Sequence, residues 1–519
     1  MRAGMGTNDK QTWLALAMII CARLGLQALL YRAGFVSLTA DDFGRAVAAG
    51  LWAQRPYFVW HGGAWLPFHM ILVGSALRLV WDLLWVPRTV NILLGAISIL
   101  LIYRLGKELF KDRRIGLFAA LLLAFNPAHL WLSSGMLVEI PYLTLLLGCM
   151  LSFIVFLQRS RSSYLFLSAV LLGLANGFRF EGWMVSLFFS LYLAWLGIYR
   201  FIHRQTNLKG VAVLWVAAIV PMVFPVLWVA GSYQQTGDPF HFLSVIRTYK
   251  LTWNGSQRSF INYLITSWRI GWLIILLMFP ALAHCVYRYG KSQALRWYLG
   301  ITLIPLVMFL WLHGGQAEPP GNYIRYLTPF LCVFLPLLGA LMVALLDYIH
   351  KLVWVRGSIF VLISLALLIQ VFSAYKFTND PAAQGLAVGQ QLRALRSSGP
   401  GLNLVPAIIE VSYWEYLAIH VGANDLKRLM YDRELDFDRR DAPSLILETP
   451  GLVYACARQN EIEYLVVKDN QLKDLLEGTY SLKPEHQVNT YNFYRLPPGF
   501  SSSIQDRGLK CTLPFGSGY

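Results

Sequence analysis

The sequence predicts a multi-pass α-helical membrane protein with a C-terminal extracytoplasmic α/β domain. Three observations carry this. Of the 519 residues, 56% are hydrophobic and only 14% are charged, against about 25% charged in an ordinary soluble domain. Apolar runs of about 18 to 22 residues, the length a helix needs to cross a bilayer, recur along positions 1–373. From Ala374 onward they stop, and short apolar runs alternate with helical patterns, which is α/β patterning. This composition excludes a disordered chain, a disulfide scaffold and a typical cytosolic enzyme. The net charge of +16 would suit a polyanion, but in a membrane protein Lys and Arg accumulate in cytoplasmic loops. Membrane lipid is therefore an expected partner and nucleic acid is not.

The predicted spans lie at roughly 12–31, 87–104, 114–131, 138–157, 163–178, 182–199, 210–230, 269–287, 297–312, 326–347 and 353–373, about eleven in all. The first has no clear small-residue cleavage site after it and reads as a signal anchor. Arg23 interrupts it, either snorkelling to the interface or serving a phosphate. Loop charges set the orientation. Basic residues follow the second span (Arg104, Lys107, Lys111, Arg113, Arg114), the fourth (Arg159, Arg161), the sixth (Arg200, Arg204, Lys209), the eighth (Arg288, Lys291, Arg296) and the tenth (Lys351, Arg356). The short alternate loops are nearly free of Lys and Arg; the longer loop after the seventh span, with Arg247, Lys250 and Arg258, is the exception. The positive-inside rule makes the first group cytoplasmic, and the N-terminus with it.

Leu66–Trp81 is apolar enough to tempt a further span, which would invert the basic loops. It reads instead as an amphipathic helix at the outer interface, with Pro67 near its start. The first outer loop then runs over 32–86, long enough to be functional. An odd span count places the tail outside. The expected organisation is a membrane module over 1–373 and an extracytoplasmic α/β domain over 374–519, in a prokaryotic plasma membrane. Within the tail, Ser444–Leu447 and Tyr464–Val467 read as buried strands, and Ala383–Arg396 and Gly451–Gln459 as helices. Cys21, Cys149, Cys285 and Cys332 lie in or near apolar spans and read as small hydrophobes. Cys456 and Cys511 lie where a disulfide is permitted. No metal-ligand spacing is present. Asn254-Gly255-Ser256 is a formal glycosylation sequon in an outer loop.

The informative charges are those at the outer ends of spans, because a carboxylate near hydrocarbon is costly and needs a reason. Asp41 and Asp42 follow the first span, Glu139 opens the fourth, Arg179 and Glu181 occupy a tight outer turn, and Arg325 opens the tenth. A carboxylate in a partly dehydrated pocket can act as a general base, and an Arg can hold a phosphate bidentately. Together they suit transfer of a group from a lipid-embedded phosphate to a hydroxyl or amine arriving from outside. Structural readings stand beside these. Asp41 and Asp42 lie where they would cap an Ala-rich helix. Arg179 and Glu181 would form an ion pair, and Arg325 would anchor its helix at the interface. His61, Trp65, Tyr323 and Tyr326 are substrate-binding candidates, although aromatic residues and His are also ordinary at an interface.

These segments resemble the C-type glycosyltransferase superfamily, and within it glycosyltransferase family 39, which includes protein O-mannosyltransferases and lipid A aminoarabinose transferases. The resemblance rests on the acidic pair Asp41-Asp42 after the first span. It rests also on Trp65-Leu66-Pro67-Phe68 before Arg88-Thr89-Val90-Asn91, on the basic turn after Tyr103, on Phe125-Asn126-Pro127, and on Glu139 with Pro141. It covers about Leu38 to Gln158, with a looser match over Tyr323–Pro329. It implies a polyprenyl-phosphate-linked monosaccharide as donor, an extracytoplasmic glycan, lipid or protein as acceptor, and transfer with inversion. It implies a first-loop Asp as base, hence Asp41, with Asp42 as the alternative because Asp-Asp stands where the family usually has Asp-Glu. Glu139 stands at the family's second acidic position, more often Asp, and its longer side chain suits orientation. The stretch Trp60–Pro67 lacks the Lys of the aminoarabinose enzymes, so phosphate binding passes to Arg325 or Arg179. No cofactor is required, though a divalent metal is compatible with paired carboxylates. The rival from another class is a transporter or flippase, kept open by prolines inside several spans; a lipid-linked polysaccharide polymerase and a membrane-anchored binding protein are the others.

Overall fold

The computed structural model describes residues 7–58, 64–254, 260–313, 320–348, 353–395, 406–411, 414–435, 442–468, 470–497, 500 and 509–514. In chain order the helices are α1 (Thr7–Arg32), α2 (Asp41–Gln54), α3 (Phe68–Leu79), α4 (Trp85–Phe110), α5 (Arg113–Ala124), α6 (Pro127–Ser134), α7 (Glu139–Arg159), α8 (Ser162–Asn176), α9 (Glu181–Ile202), α10 (Leu208–Ile219) and α11 (Val223–Thr236). They continue with α12 (His241–Asn254), α13 (Phe260–Tyr289), α14 (Gln293–His313), α15 (Pro320–Val333), α16 (Leu335–Tyr348), α17 (Val353–Ala374), α18 (Gln384–Ala394), α19 (Glu415–Ala423), α20 (Leu445–Glu448), α21 (Leu452–Asn460) and α22 (Asn470–Tyr480). The chain forms two compact units.

The first unit gathers Met1–Phe35, Phe58–His69 and Arg88–Thr378 and is helical. Five helices among the described residues are long and apolar enough to cross a membrane: Asp9–Arg32, Trp85–Phe110, Glu139–Arg159, Glu181–Ile202 and Leu208–Thr236. The count is seven if two bent pairs are each one span. This makes the chain a membrane protein. Other expected spans coincide with shorter apolar helices, such as the 15-residue α8, about 22 Å long at 1.5 Å per residue.

Local chemistry explains several boundaries. The Asp112 side chain accepts from the Arg114 N–H at the start of α5, and Asn207 accepts from the Gly210 N–H at the start of α10. α5 and α6 meet at 61°. The break falls at Asn126-Pro127, where a proline forces the preceding residue out of helical conformation; Asn126 sits at φ −74°, ψ 121° and caps α6 through the His129 N–H. α16 bends by 48° from α15 just before Pro336. Arg23, 1% exposed, does not snorkel. With Gln27 and Tyr31 it forms a polar row on one face of α1. Arg23 donates to the His129 carbonyl at 2.9 Å and to Ser133, Gln27 donates to Ser133 and Ser134 at 3.2 Å, and Tyr31 donates to the Ser134 carbonyl at 2.7 Å. The apolar core centres on Phe153 of α7, with Phe189 of α9 and Trp297 of α14 at ring distances of 5.1 and 4.3 Å.

The second unit gathers Val36–Tyr57, Met70–Pro87 and Asn379–Tyr519. Its sheet comprises β1 (Ala407–Ile409), β2 (Leu429–Tyr431), β3 (Tyr464–Val467), β4 (Pro484–Val488) and β5 (Tyr491–Arg495), in the order β2-β1-β3-β5-β4. β1 runs parallel to β2 and β3, with Ala407 opposite Leu429 and Tyr464, while β5 is antiparallel to β3 and β4. Tyr464–Val467 is the strand expected, and α18 and α21 fall where helices were read. Ser444–Leu447 is not a strand: Leu445–Glu448 is helical. A short apolar run does not distinguish strand from helix by pattern alone, and here it follows Pro443 and ends in Glu448. Cys456 and Cys511 form a disulfide that joins α21 to the C-terminal segment.

α18 and α19 approach until their backbones touch. A Cβ on Gly389 would run into the Ile419 carbonyl, and one on Gly422 into the Leu386 carbonyl. Gly478 in α22 has nothing within 4 Å of such a Cβ. Gly422→Val should therefore destabilise the unit by at least about 3 kcal/mol, the upper range for overpacking. Gly478→Ala should stabilise it by about 0.5–1 kcal/mol. Thermal unfolding followed by the far-ultraviolet signal checks both signs.

Candidate active site

The first unit holds a buried charge cluster at the head of α7. Glu139 is the first residue of that helix and is 0% exposed. Its Oε1 accepts from the Arg179 Nη1 and from the Arg325 Nε, the latter at 2.9 Å. Arg179 and Arg325 are 7% and 4% exposed. Arg179 also donates through Nε and Nη2 to the two carboxylate oxygens of Glu181, at 3.0 and 2.5 Å. All three of its nitrogens are thus on carboxylates. The Tyr326 ring lies beside both cations, 5.0 Å from the Arg179 Cζ and 5.9 Å from the Arg325 Cζ, within cation–π range. Two carboxylates and two guanidiniums balance in charge, as removal from water demands.

Each member is held by its own local structure. The turn before Glu139 is pinned by Asn91 on α4, which donates to the carbonyls of Gly135 at 3.0 Å and Leu137 at 2.9 Å. The Arg179 turn is fixed on both sides. Phe68 N–H donates to the Gly177 carbonyl at 3.1 Å, and Gly177 sits against the Phe68 ring where a Cβ would collide. Asn176 at the end of α8 donates to Ser186 of α9 at 2.8 Å, and Trp183 donates to the Asn176 carbonyl at 3.1 Å. Phe180 stacks on Phe242 at 4.9 Å and 4°. These anchors place the Arg179 guanidinium between Glu139 and Glu181 with little freedom.

The structure thus brings together Glu139, Arg179, Glu181, Arg325 and Tyr326, which the sequence lists as separate candidates. The expected ion pair of Arg179 with Glu181 is present, and it is part of the same cluster. Trp65 is half-buried and precedes Leu66, which packs with Trp228 and Phe242. His61, the side chain of Tyr323 and the sequon at Gly255 and Ser256 lie outside the described residues. Asn91 enters the sequence reading only within Arg88-Thr89-Val90-Asn91, with no role of its own. The signal for Asn91 was a polar amide inside an apolar span, which needs an internal partner.

Asp41 and Asp42 belong to the second unit, in the first turn of α2. Their position at a helix N-terminus suits negative charge. Asp42 is 0% exposed, and its Oδ2 accepts from the Leu38 N–H at 3.1 Å, back across the turn. Asp41 is half-buried. Among the described residues no group of three or more His, Cys, Asp and Glu is arranged to hold a metal ion.

The model of the dolichyl-phosphate-mannose-protein mannosyltransferase family matches residues 65–228, which include Glu139, Arg179 and Glu181. No curated protein matches the chain in sequence. Among solved structures, ArnT from Cupriavidus metallidurans bound to undecaprenyl phosphate aligns with a TM-score of 0.62 over 94% of this chain and 99% of that one, at 14% identity. The archaeal oligosaccharyltransferase AglB from Archaeoglobus fulgidus, in complex with an inhibitory peptide and a dolichol-phosphate, aligns with a TM-score of 0.54 over 88% of this chain and 69% of that one, at 14% identity. The same archaeal enzyme tethered to an acceptor peptide gives a TM-score of 0.55 at 14% identity, over 91% of this chain and 70% of that one. The resemblance read from the sequence is borne out at the level of fold: the chain has the C-type glycosyltransferase fold.

Removing one partner of a buried ion cluster leaves the others uncompensated. Glu139→Gln should lower stability by about 3–5 kcal/mol. Adding Arg325→Met to Glu139→Gln should recover part of that loss, a non-additivity expected only of groups in one network. Thermal unfolding of the detergent-solubilised single and double variants measures it.

Proposed function

We propose that the chain is an integral-membrane glycosyltransferase that moves a monosaccharide from a polyprenyl-phosphate donor to an extracytoplasmic glycan, lipid or protein. The observation that carries the reading is the buried Glu139 carboxylate holding two guanidiniums at the head of a span, in a chain with the C-type fold. The ArnT structure holds undecaprenyl phosphate and the AglB structure a dolichol-phosphate. Those ligands support a lipid-linked phosphate as the donor's leaving group here.

The roles follow from chemistry. Arg325 is assigned to the donor phosphate, because a guanidinium matches phosphate oxygens bidentately and Glu139 orients this one. Arg179, committed to Glu139 and Glu181, steadies the carboxylate that orients Arg325. Asp41 is assigned as the base and Asp42, buried and committed to the Leu38 N–H, as its support. Asp41 takes the proton of the acceptor hydroxyl or amine as that atom attacks the anomeric carbon. The bond from that carbon to the phosphate oxygen breaks on the opposite face, and the lipid phosphate leaves with the electron pair, which inverts the anomeric centre. The work is positioning and charge stabilisation. Tyr326 sits beside the phosphate-binding arginine, and Trp65, Tyr323 and His61 are assigned to the sugar or acceptor. No cofactor is required. The proposal includes about eleven crossings, an inside N-terminus, an outside C-terminal domain and a prokaryotic plasma membrane. The two bent helix pairs favour a second reading, a transporter or flippase of lipid-linked substrates.

The test offers purified protein in nanodiscs a panel of radiolabelled polyprenyl-phosphate sugars with a membrane and cell-wall extract as acceptor. One donor should lose its label to the extract. Asp41→Asn should slow this by about 10²–10⁴-fold, the usual worth of a general base, with lipid phosphate released in step. Movement of the donor across the bilayer without loss of its sugar, unaffected by Asp41→Asn, would instead establish the transport reading.

A further inference from the structure

We infer that Asn424, at the C-terminal end of α19, is a positioning residue for the proposed base: its amide fastens the turn between α3 and α4 on which the helix carrying Asp41 is seated. The inference rests on the role proposed above for Asp41.

α19 ends on Asn424 in the left-handed conformation, at φ 58° and ψ 33°. Glycine is the usual residue at such a helix end, because it has no Cβ to crowd the backbone; asparagine is the tolerated second choice. The cap itself needs only the backbone, and the Asn424 N–H closes it on the Val421 carbonyl at 3.3 Å. The side chain serves a different segment. Its Oδ1 accepts from the Leu83 N–H at 2.9 Å, and its Nδ2 donates to the Trp81 carbonyl at 3.3 Å. The Asn424 carbonyl accepts from the Trp81 indole N–H at 3.2 Å. A residue 341 positions further along the chain than Leu83 thus grips the turn from outside. Asp82 holds it from inside, its Oδ1 accepting from the N–H groups of Leu84 at 3.0 Å and Trp85 at 2.8 Å.

The gripped turn is the seat of α2. Gly50 of that helix is buried, and a Cβ on it would lie 2.6 Å from the Leu83 Cδ2, 2.9 Å from the Leu426 Cδ1 and 3.6 Å from the Trp81 Cη2. The notch left by the missing side chain is therefore filled by both residues that Asn424 bonds and by one that follows it closely in the chain. Leu83 and Leu426 are 0% and 3% exposed. A second glycine, Gly74 of α3, lets the Ala49 carbonyl and the Trp52 ring of α2 come as close. All of these segments belong to the second unit. α2 is a single 14-residue helix with Asp41 at its head, so a tilt at the Gly50 seat is carried to the carboxylate. A base that must meet an acceptor proton within hydrogen-bond reach is sensitive to shifts of about 1 Å, which cost on the order of a hundredfold in rate. Asn424 controls that position without touching substrate.

The experiment uses the full chain in nanodiscs with Asn424→Gly and Asn424→Asp. The glycine variant keeps the left-handed helix end and deletes the amide, so its thermal unfolding midpoint should stay within about 3 °C of the unaltered chain. Hydrogen exchange should nevertheless quicken in Asn424→Gly, by roughly tenfold over residues 80–86 and roughly threefold over residues 41–54, with residues 464–467 unchanged as the folding control. Sugar transfer from the donor found in the panel above should fall on the order of tenfold to a hundredfold in kcat, with KM within about twofold. Asn424→Asp tolerates the same backbone and keeps an acceptor oxygen for the Leu83 N–H, and it should recover most of both losses. Unchanged exchange over 41–54 in Asn424→Gly would overturn the inference, whatever the donor. Faster exchange with unchanged kcat would leave Asn424 a merely structural clasp and also overturn it. If Asp41→Asn transfers sugar like the unaltered chain, the role of Asp41 fails and the catalytic half of the inference with it, while the exchange result still shows the turn seating α2.

Discussion

The structure of the first unit depends on one carboxylate. Glu139 sits where a chain with no water available must satisfy two guanidiniums that arrive from elsewhere in the sequence, one from the turn before α9 and one from α15. A lone buried charge is too costly to keep, and a lone buried pair is at best neutral against an apolar alternative. The cluster escapes this by sharing. Glu139 serves both arginines, Glu181 takes the fork of Arg179, and the Tyr326 ring faces both cations. A balanced cluster does not draw an anion by net charge. On the proposed reading it acts on one by geometry, through a guanidinium oriented by Glu139, and such preorganisation is what a charge-stabilising site requires.

That geometry is only as good as its supports, and these are polar groups set in apolar surroundings. Asn91 holds the two carbonyls ahead of Glu139, Asn176 ties α8 to α9, and Gly177 lets Phe68 close against the Arg179 turn. In an apolar medium each such bond lacks a water competitor. Removing one leaves a donor or acceptor stranded, not resolvated. The second unit solves a similar problem with different parts: ahead of α2 the N–H groups of Val36 and Ser37 donate to the Asn379 side chain, and that of Leu38 to Asp42.

Much of this was legible in the sequence, for a physical reason. Glu139, Arg179, Glu181 and Arg325 stood out because charge beside hydrocarbon needs a partner. Apolar length gave the long helices, and the Asn126-Pro127 pair marked a helix end. What was not legible depends on contacts between distant segments. Nothing near Asn91 says that its amide will meet residues 135 and 137. Nothing near Asn379 says that it will receive the N–H groups of Val36 and Ser37. Ser444–Leu447 carries too little periodicity, in four apolar or small residues, to separate strand from helix. Neither reading of Arg23, snorkelling to the interface or serving a phosphate, anticipates that Gln27 and Tyr31, four and eight residues on, share its face and that all three bond to α6.

The break between α5 and α6 shows how such details bear on mechanism. In transporters, broken helices free carbonyls that line an ion path. Here the polar groups of the short helix after the break are taken up by protein partners. Asn126 accepts the His129 N–H, and the His129 carbonyl receives Arg23 at 2.9 Å and Ser133 at 2.7 Å. Ser134 then receives Gln27, and its carbonyl receives Tyr31. Trp131 of α6 reaches the end of α17 through the Ala374 carbonyl at 2.7 Å. The bend therefore builds an anchor that holds α1 and α17 to α6, and the turn leaving α6 is the one that Asn91 pins ahead of Glu139. A bend whose groups anchor two other helices to α6 fits a rigid, preorganised site better than a moving gate.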